Sequence, residues 1–325
     1  MAVQASPATP SMVAQLGLDG VSLALFAALA ALPILVALFG GAYLMSIATR
    51  IMIFAVAALS LDLLIGYGAL VSFGHAAFMG IGAYAVGILA SQGISDGLIA
   101  LPVAIAVSAL FALATGALAM RTTGVYFIMI TLAFGQMAFY VAVSLAPYGG
   151  DDGLTIARRS TILGAHILNN DTTFFYVTLG LLIGCFLLAR RIVASRFGRV
   201  LTGARENPQR VEAMGLDPYR YRLVAYVIAG AMAGLSGFLL ANQTEFASPA
   251  YMSWQRSGEL IVMVLLGGVG TLSGPILGTI AFLALEETLS QMTEHWKVIL
   301  GPILVGVVLA GRGGLSGLVA RFSRG

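Results

Sequence analysis

Apolar runs of about twenty residues recur along almost the whole chain, separated by short polar breaks, and nothing else constrains its fold so strongly. A helix needs about 20 apolar residues to cross the hydrocarbon core, and the runs lack the ten-residue polar/apolar alternation of a transmembrane barrel. They fall at 21–40, 44–65, 69–90, 98–120, 124–146, 172–190, 222–242, 258–272, 274–290 and 298–312. The pattern predicts an all-α integral membrane protein with about ten transmembrane helices. The eighth run is short and enters a glycine-rich break, Gly267 to Pro275, so a re-entrant or broken helix is the alternative there. Charged residues make up only 10% of the chain, against about 25% in a soluble domain. No polar stretch is long enough for a core of its own, which leaves a polar tail at 1–20, one membrane domain over 21–312 and a second tail at 313–325.

Eight of the seventeen basic residues lie in one island, residues 190–222, between the sixth and seventh runs. Basic residues accumulate on the cytoplasmic side of membrane proteins. With ten crossings and a cytoplasmic island, both termini are inside; twelve basic residues then lie inside and five outside, Arg50, Arg158, Arg159, Arg256 and Lys297. The bias supports that orientation; a nine-span arrangement would move Arg312, Arg321 and Arg324 outside. The positive charge is thus a mark of topology, and nucleic-acid binding is not expected. The first basic residue is Arg50, so no basic segment precedes the first run and no removable signal peptide is expected.

Catalytic chemistry has no evident home. No G-x-x-x-x-G-K-[ST] loop occurs, and the sole lysine, Lys297, follows no glycine loop. His75, His166 and His295 are dispersed, Cys185 is the only cysteine, and no G-x-S-x-G elbow is present, so neither a metal centre nor a nucleophile is expected. Ionisable groups inside the runs are few. Asp62 is read as structural, with a role at a cytoplasmic mouth as the alternative; His75 is read as neutral and hydrogen-bonded between helices, with a pathway role second. Glu286 and Glu287 are read as solvated at the outer end of the ninth run. This scarcity argues against an ion-coupled pump, which needs buried ionisable relays.

Glycines carry two further expectations. Pairs at Gly180/Gly184, Gly230/Gly234 and Gly274/Gly278 fit close helix packing in lipid. Breaks near Gly66–Gly68 and Gly267–Gly274 expose backbone, and with Ser72, His75, Gly268, Gly270 and Ser273 they are candidates for a pathway or gate; packing alone is the competing reading. The segments at 65–70 and 267–272 also echo each other weakly.

In the island, Asn207-Pro208 starts a short helix that Gly215 can end, and Asp217-Pro218 starts another turn. Glu206, Arg210 and Glu212 offer polar contacts and Val211 and Met214 apolar ones to a soluble partner, with Leu216 and Tyr219 as further apolar side chains that a mere linker does not need. In the loop at 147–171, Gly149 to Gly153 permits tight turns that project Asp151 and Asp152 outward, either toward a docking protein or simply into water.

Four segments in matching order, LDLLIGYGALVSFGHAAFMGIGAY (61–84), TTGVYFIMITLAFGQM (122–137), ARENPQRVEAMGLDPYRYRLVAYVIAGAMAGLSG (204–237) and LLGGVGTLSGPILGT (265–279), resemble the LivM-type permeases of branched-chain amino acid ABC importers. The resemblance implies a helical importer permease with a cytoplasmic coupling helix between spans six and seven, in loop 191–221. It implies an ATPase contact at Glu212-Ala213-Met214-Gly215, with Arg205-Glu206-Asn207 just before it. Asp62 stands where many members carry asparagine, which leaves its charge open. The implied partners are a LivH-type second permease, two cytoplasmic ATPases, which would hold the ATP and Mg, and a periplasmic substrate-binding protein; no cofactor is expected on this chain. The implied location is the bacterial inner membrane. Such importers carry branched-chain amino acids, urea, short amides or aromatic acids, and the sequence does not separate these. A self-sufficient secondary carrier or channel is the rival from a different class.

Overall fold

A computed structural model describes residues 20–39, 41–292, 295, 298–302, 305–306 and 314–317. Most of both expected tails and just over half of the tenth run, 298–312, therefore lie outside the described residues. The helices are α1 (Gly20–Phe39), α2 (Ala42–Gly68), α3 (His75–Ser91), α4 (Gly97–Ala119), α5 (Val125–Ser144), α6 (Asp171–Ala194), α7 (Arg196–Glu206), α8 (Pro208–Ala213), α9 (Pro218–Thr244), α10 (Trp254–Gly267) and α11 (Gly274–Met292). Two residue pairs form the antiparallel strands β1 (Leu154–Thr155) and β2 (Phe246–Ala247).

Among the described residues, five helices are long and apolar enough to cross a membrane: Tyr43–Gly68, Gly97–Ala119, Val125–Ser144, Asp171–Ala194 and Pro218–Thr244. Short polar side chains start most of them. Asp96, Asn170 and Asp217 each accept a hydrogen bond from the amide two residues on, and Ser195 and Ser253 from the amide three residues on. Such caps stabilise a helix start by about 1 kcal/mol.

Two runs differ most from their expected extents, each for a backbone reason. The third does not continue from residue 69: Ala69 takes a left-handed conformation (φ 53°) that closes α2, and α3 starts only at His75. The eighth starts four residues early, at Trp254 behind the Ser253 cap, and ends at Gly267 because Gly268 (φ 115°) and Gly270 (φ 75°) leave helical space. Its 14 residues span about 21 Å, less than the ~30 Å hydrocarbon core. The island is also shorter than expected: α6 carries Arg190 and Arg191 to its own last turns, and the chain outside the long helices is α7, α8 and the turn before Pro218.

The core is built around α9, which packs on α2, α3 and α4. Contact is close because the facing residues are small: a Cβ at Gly82 would lie 2.9 Å from the Gly234 Cα, and one at Gly230 would lie 2.6 Å from the Ala112 Cβ. Gly278 likewise lies against the Gly267 backbone. Gly180 and Gly184 do not follow suit; no described atom lies within 4 Å of where their Cβ atoms would stand, so that pair faces away from the described helices.

Candidate functional site: the island end and the glycine breaks

The end of α2 nearest the island gathers both glycine breaks. Asp62, fully buried, accepts a hydrogen bond from the Gly270 amide at 2.8 Å, and the Tyr67 hydroxyl donates to the Gly270 carbonyl at 3.0 Å. Both polar groups of that irregular backbone are therefore satisfied by side chains of one helix, as membrane depth requires. Gly66 faces Gly270 so closely that a Cβ there would lie 2.6 Å from the Gly270 Cα. The two segments that echo in sequence are in contact.

The island joins the same cluster. Arg205, on the last turn of α7, donates to the Gly66 carbonyl, and α7 is seated by Leu201, buried in a core cluster with Leu64, Leu70, Phe78 and Tyr226. Arg222 of α9 donates to the Ala204 carbonyl at 2.7 Å, tying the end of α7 to the following long helix. After it, the Asn207 side chain accepts from the Arg210 amide at 3.0 Å, Pro208 occupies the first turn of α8, and Gly215 (φ 78°) lets the chain turn back.

Glu206, Asn207, Arg210, Glu212, Ala213, Met214 and Gly215 are exposed, Met214 at 71%. Two other apolar residues turn inward, which corrects the expectation that they offer contacts to a partner. Val211 is buried with its Cγ2 against Gly203, and the Tyr219 hydroxyl donates to the Ala117 carbonyl at 2.9 Å.

The remaining gate candidates are spread along the turn and its neighbours. Gly68 ends α2, Ser72 is buried in the turn before α3, and Gly268 and Ser273 flank the Asp62–Gly270 contact, where the Thr271 hydroxyl donates to the Gly268 carbonyl at 2.6 Å. His75 lies deeper, its Nε2 2.8 Å from the Ser60 hydroxyl and its ring edge-on to Phe78. It bridges α2 and α3 and does not reach the Asp62 cluster.

At the far end, Asp151 and Asp152 are exposed on a single 3-10 turn, Gly150–Asp152. Their loop is anchored by Arg159, which donates to the Asn242 and Leu168 carbonyls, both at 3.1 Å, pairs with Asp171 at 2.7 Å and lies over the Phe174 ring. Sequence reading counted Arg159 only as a topology mark. It missed a second group in the same way: Arg50, Arg256, Glu259 and Glu286 come together from α2, α10 and α11. Only the three-residue spacing of Arg256 and Glu259 was available as a signal.

Residues 43–308 match the family described as branched-chain amino acid transport system / permease component. The LivM high-affinity branched-chain amino acid permease of Salmonella typhimurium is 27% identical over 282 residues, which cover 80% of this chain and 66% of that protein. The Autoinducer 2 import permease LsrC of Enterobacter is 30% identical over 254 residues (72% and 69%), and a probable LivH permease of Methanocaldococcus jannaschii is 33% identical over 108 residues (32% and 31%). The match thus spans just under two thirds of the LivM relative's length, and no solved structure matches. With four fifths of its length aligned to LivM and the family match running from α2 through α11 and beyond, this chain belongs to the LivM-type branched-chain amino acid permease family.

Proposed function

We propose that the chain is the membrane-spanning subunit of an ABC importer in the bacterial inner membrane, translocating a branched-chain amino acid or a related small polar solute. ATP hydrolysis on two cytoplasmic ATPases drives it, a LivH-type permease completes the pathway, and a periplasmic binding protein delivers the solute. In this reading the island is cytoplasmic, as are both termini. Glu206, Arg210, Glu212, Ala213, Met214 and Gly215 form the ATPase-docking surface, with Arg205 and Asn207 holding it in place.

The observation that carries the reading is the Arg205 contact with the Gly66 carbonyl, one residue before a surface with an exposed methionine. A push on α8 reaches Arg205, Gly66 and Gly270 through adjoining contacts, so movement of a docked ATPase has a direct route to the two glycine breaks. Those breaks, with Gly68, Ser72, Gly268 and Ser273 around them, are where a gate opens and closes. Asp62 then serves as the acceptor that holds Gly270 in one of two positions.

The test is coexpression with genes for two ATPases, a second permease and a binding protein of this importer class. Wild-type protein is expected to co-purify with two ATPases and a second permease and to support uptake. Cysteines at Gly68 and Ser273 in a Cys185→Ala background are expected to label with a water-soluble thiol reagent at rates that change with nucleotide. Self-sufficient uptake by the chain alone in vesicles would instead establish the carrier reading.

A further inference from the structure

Residues 314–317 return to the second glycine break from far along the chain. They are helical and partly buried, although they belong to the stretch 313–325 that hydropathy sets aside as a second tail. Gly314 (φ 66°) meets the Gly268 backbone with no side chain between them: a Cβ at Gly314 would lie 2.5 Å from the Gly268 nitrogen and 2.6 Å from its Cα. Leu315 packs against the main hydrophobic core. The Ser316 and Thr271 hydroxyl oxygens are 3.1 Å apart. Thr271 already donates its one hydroxyl proton to the Gly268 carbonyl at 2.6 Å, so Ser316 is the donor of the pair.

The break is therefore held at two places by two different parts of the chain. At Gly270 the hold is α2, through Asp62, Tyr67 and the close face of Gly66. At Gly268 and Thr271 the hold is Gly314 and Ser316. The second fit is particular to this arrangement, because Gly268 (φ 115°) and Gly314 (φ 66°) both take backbone conformations that side-chain-bearing residues rarely adopt. Gly314-Leu315-Ser316-Gly317 carries no charge, so this hold is a steric fit, one apolar side chain and a neutral hydroxyl pair. Such contacts are individually modest and can be given up together.

We propose that residues 314–317 are a latch on the glycine break, a deepening that rests on the importer reading above and its gate at these glycines. Seated, the latch fixes Gly268 and Thr271 and keeps the break in the conformation described above; the break moves only when the latch leaves. Its position suits that role. The latch meets the break at the end of α2 nearest the island, where Arg205 donates to the Gly66 carbonyl and Gly66 faces Gly270. A push that arrives through Arg205 and Gly66 acts on Gly270, while the latch holds Gly268 and Thr271 from a separate part of the chain. The break then stays shut against small fluctuations and yields to a push strong enough to unseat the latch. That is a threshold, which a gate driven by ATP hydrolysis needs if it is not to open idly.

Two experiments test the latch. The first ties it down in the complete importer, coexpressed with its partner subunits and binding protein. Thr271→Cys with Ser316→Cys in a Cys185→Ala background places two sulfurs where the hydroxyls now stand, close enough to close to the ~2.05 Å of a disulfide by small rotations. After oxidation with copper–phenanthroline, leucine uptake is expected to fall about tenfold or more and to recover on reduction, while each single cysteine variant treated in the same way keeps its uptake. Uptake that persists with the disulfide formed overturns the proposal and assigns residues 314–317 to packing. A pair that does not cross-link overturns it as well, because the latch is then not seated on the break.

The second experiment loosens the latch in the full-length chain alone and does not depend on transport. With Ser273→Cys in a Cys185→Ala background, adding Gly314→Val drives a side chain into the Gly268 backbone, and labelling of the cysteine by a water-soluble thiol reagent is expected to quicken about fivefold or more. Ser316→Ala, which removes only the hydroxyl, is expected to quicken it about twofold and serves if the valine variant does not fold. Labelling that is unchanged by Ser316→Ala and by a folded Gly314→Val overturns the proposal. Should the wild-type chain fail to bind ATPases at all, the importer reading fails, and the labelling rates still report on the latch by themselves.

Discussion

α2 and α5 are both apolar helices of membrane-spanning length, yet 89% of the hydrophobic window of α2 is buried inside the protein and only 22% of that of α5. α2 is walled in by α9, α6, α11 and α10, whereas α5 touches few elements and leaves Tyr126, Met129 and Tyr140 more than half exposed. The difference teaches that apolarity selects the membrane but not the neighbour. What distinguishes the two is the distribution of small and polar residues. α2 carries Ser60, Asp62 and Gly66, which make specific contacts to α3 and to the turn before α11. α5 has Gly135 and Thr131 on the strip that meets the turn before α3, and its large side chains Tyr126, Met129 and Tyr140 lie on the exposed face.

That contrast breaks most readily at the glycines. Gly82→Leu drives a side chain into the Gly234 backbone of α9, and we expect a loss of about 3 kcal/mol or more, seen as failure to recover monodisperse protein in detergent. Gly180→Leu, with open space at its Cβ, is expected to leave the thermal midpoint in place. If both behave alike, the helix contacts described for α9 are wrong.

A smaller effect separates the polar contacts of α2 from mere apolar packing. Asp62→Ala leaves the Gly270 amide without its acceptor and should cost about 1–3 kcal/mol, whereas Asp62→Asn retains an acceptor oxygen and should cost less. Thermal unfolding of the two variants in one detergent checks the order. Equal losses would mean that the carboxylate charge, and not the hydrogen bond, holds the turn.

On α5, Met129→Ala or Tyr140→Ala should change stability by no more than about 0.5 kcal/mol, because neither side chain is enclosed by this chain. A much larger loss in the isolated subunit would show that α5 packs on residues outside the described set. The island surface should behave similarly in stability but not in function. Met214→Asp is expected to leave the midpoint unchanged and to abolish ATPase co-purification; normal co-purification would remove Met214 from the docking surface.

The smallest effect is expected at the far-end loop. Asp151→Lys with Asp152→Lys should not alter folding, since both side chains are exposed on a turn whose anchor is Arg159. It should weaken binding-protein docking by severalfold in a pull-down at low salt. Unchanged docking would make the turn a connector only.

Much of the fold was legible because it rests on short-range rules. Apolar run lengths marked the helices, Asn207-Pro208 and Asp217-Pro218 marked helix starts that appear at those places, and the glycine turns at 149–153 and 215 fall where left-handed backbone is found. The extents of α3 and α10 were misjudged because a left-handed Ala69 and the register of a cap at Ser253 carry no hydropathy signal. In the island, periodicity over six residues was too short to tell that Val211 faces inward while Met214 faces out.

By itself, the sequence determined that this chain belongs in a membrane, where its described helices start and stop to within about six residues, and where its polar island lies. Only the tertiary structure decided which polar groups meet. Asp62 and Gly270 are 208 positions apart, Arg205 and Gly66 are 139 apart, and Arg50 finds Glu286 from the other side of the chain. The physical reason is that hydrophobicity is set by each residue alone and reads out locally, whereas a buried hydrogen bond or ion pair depends on two partners at a separation of a few ångströms. That separation exists only after the helices have packed.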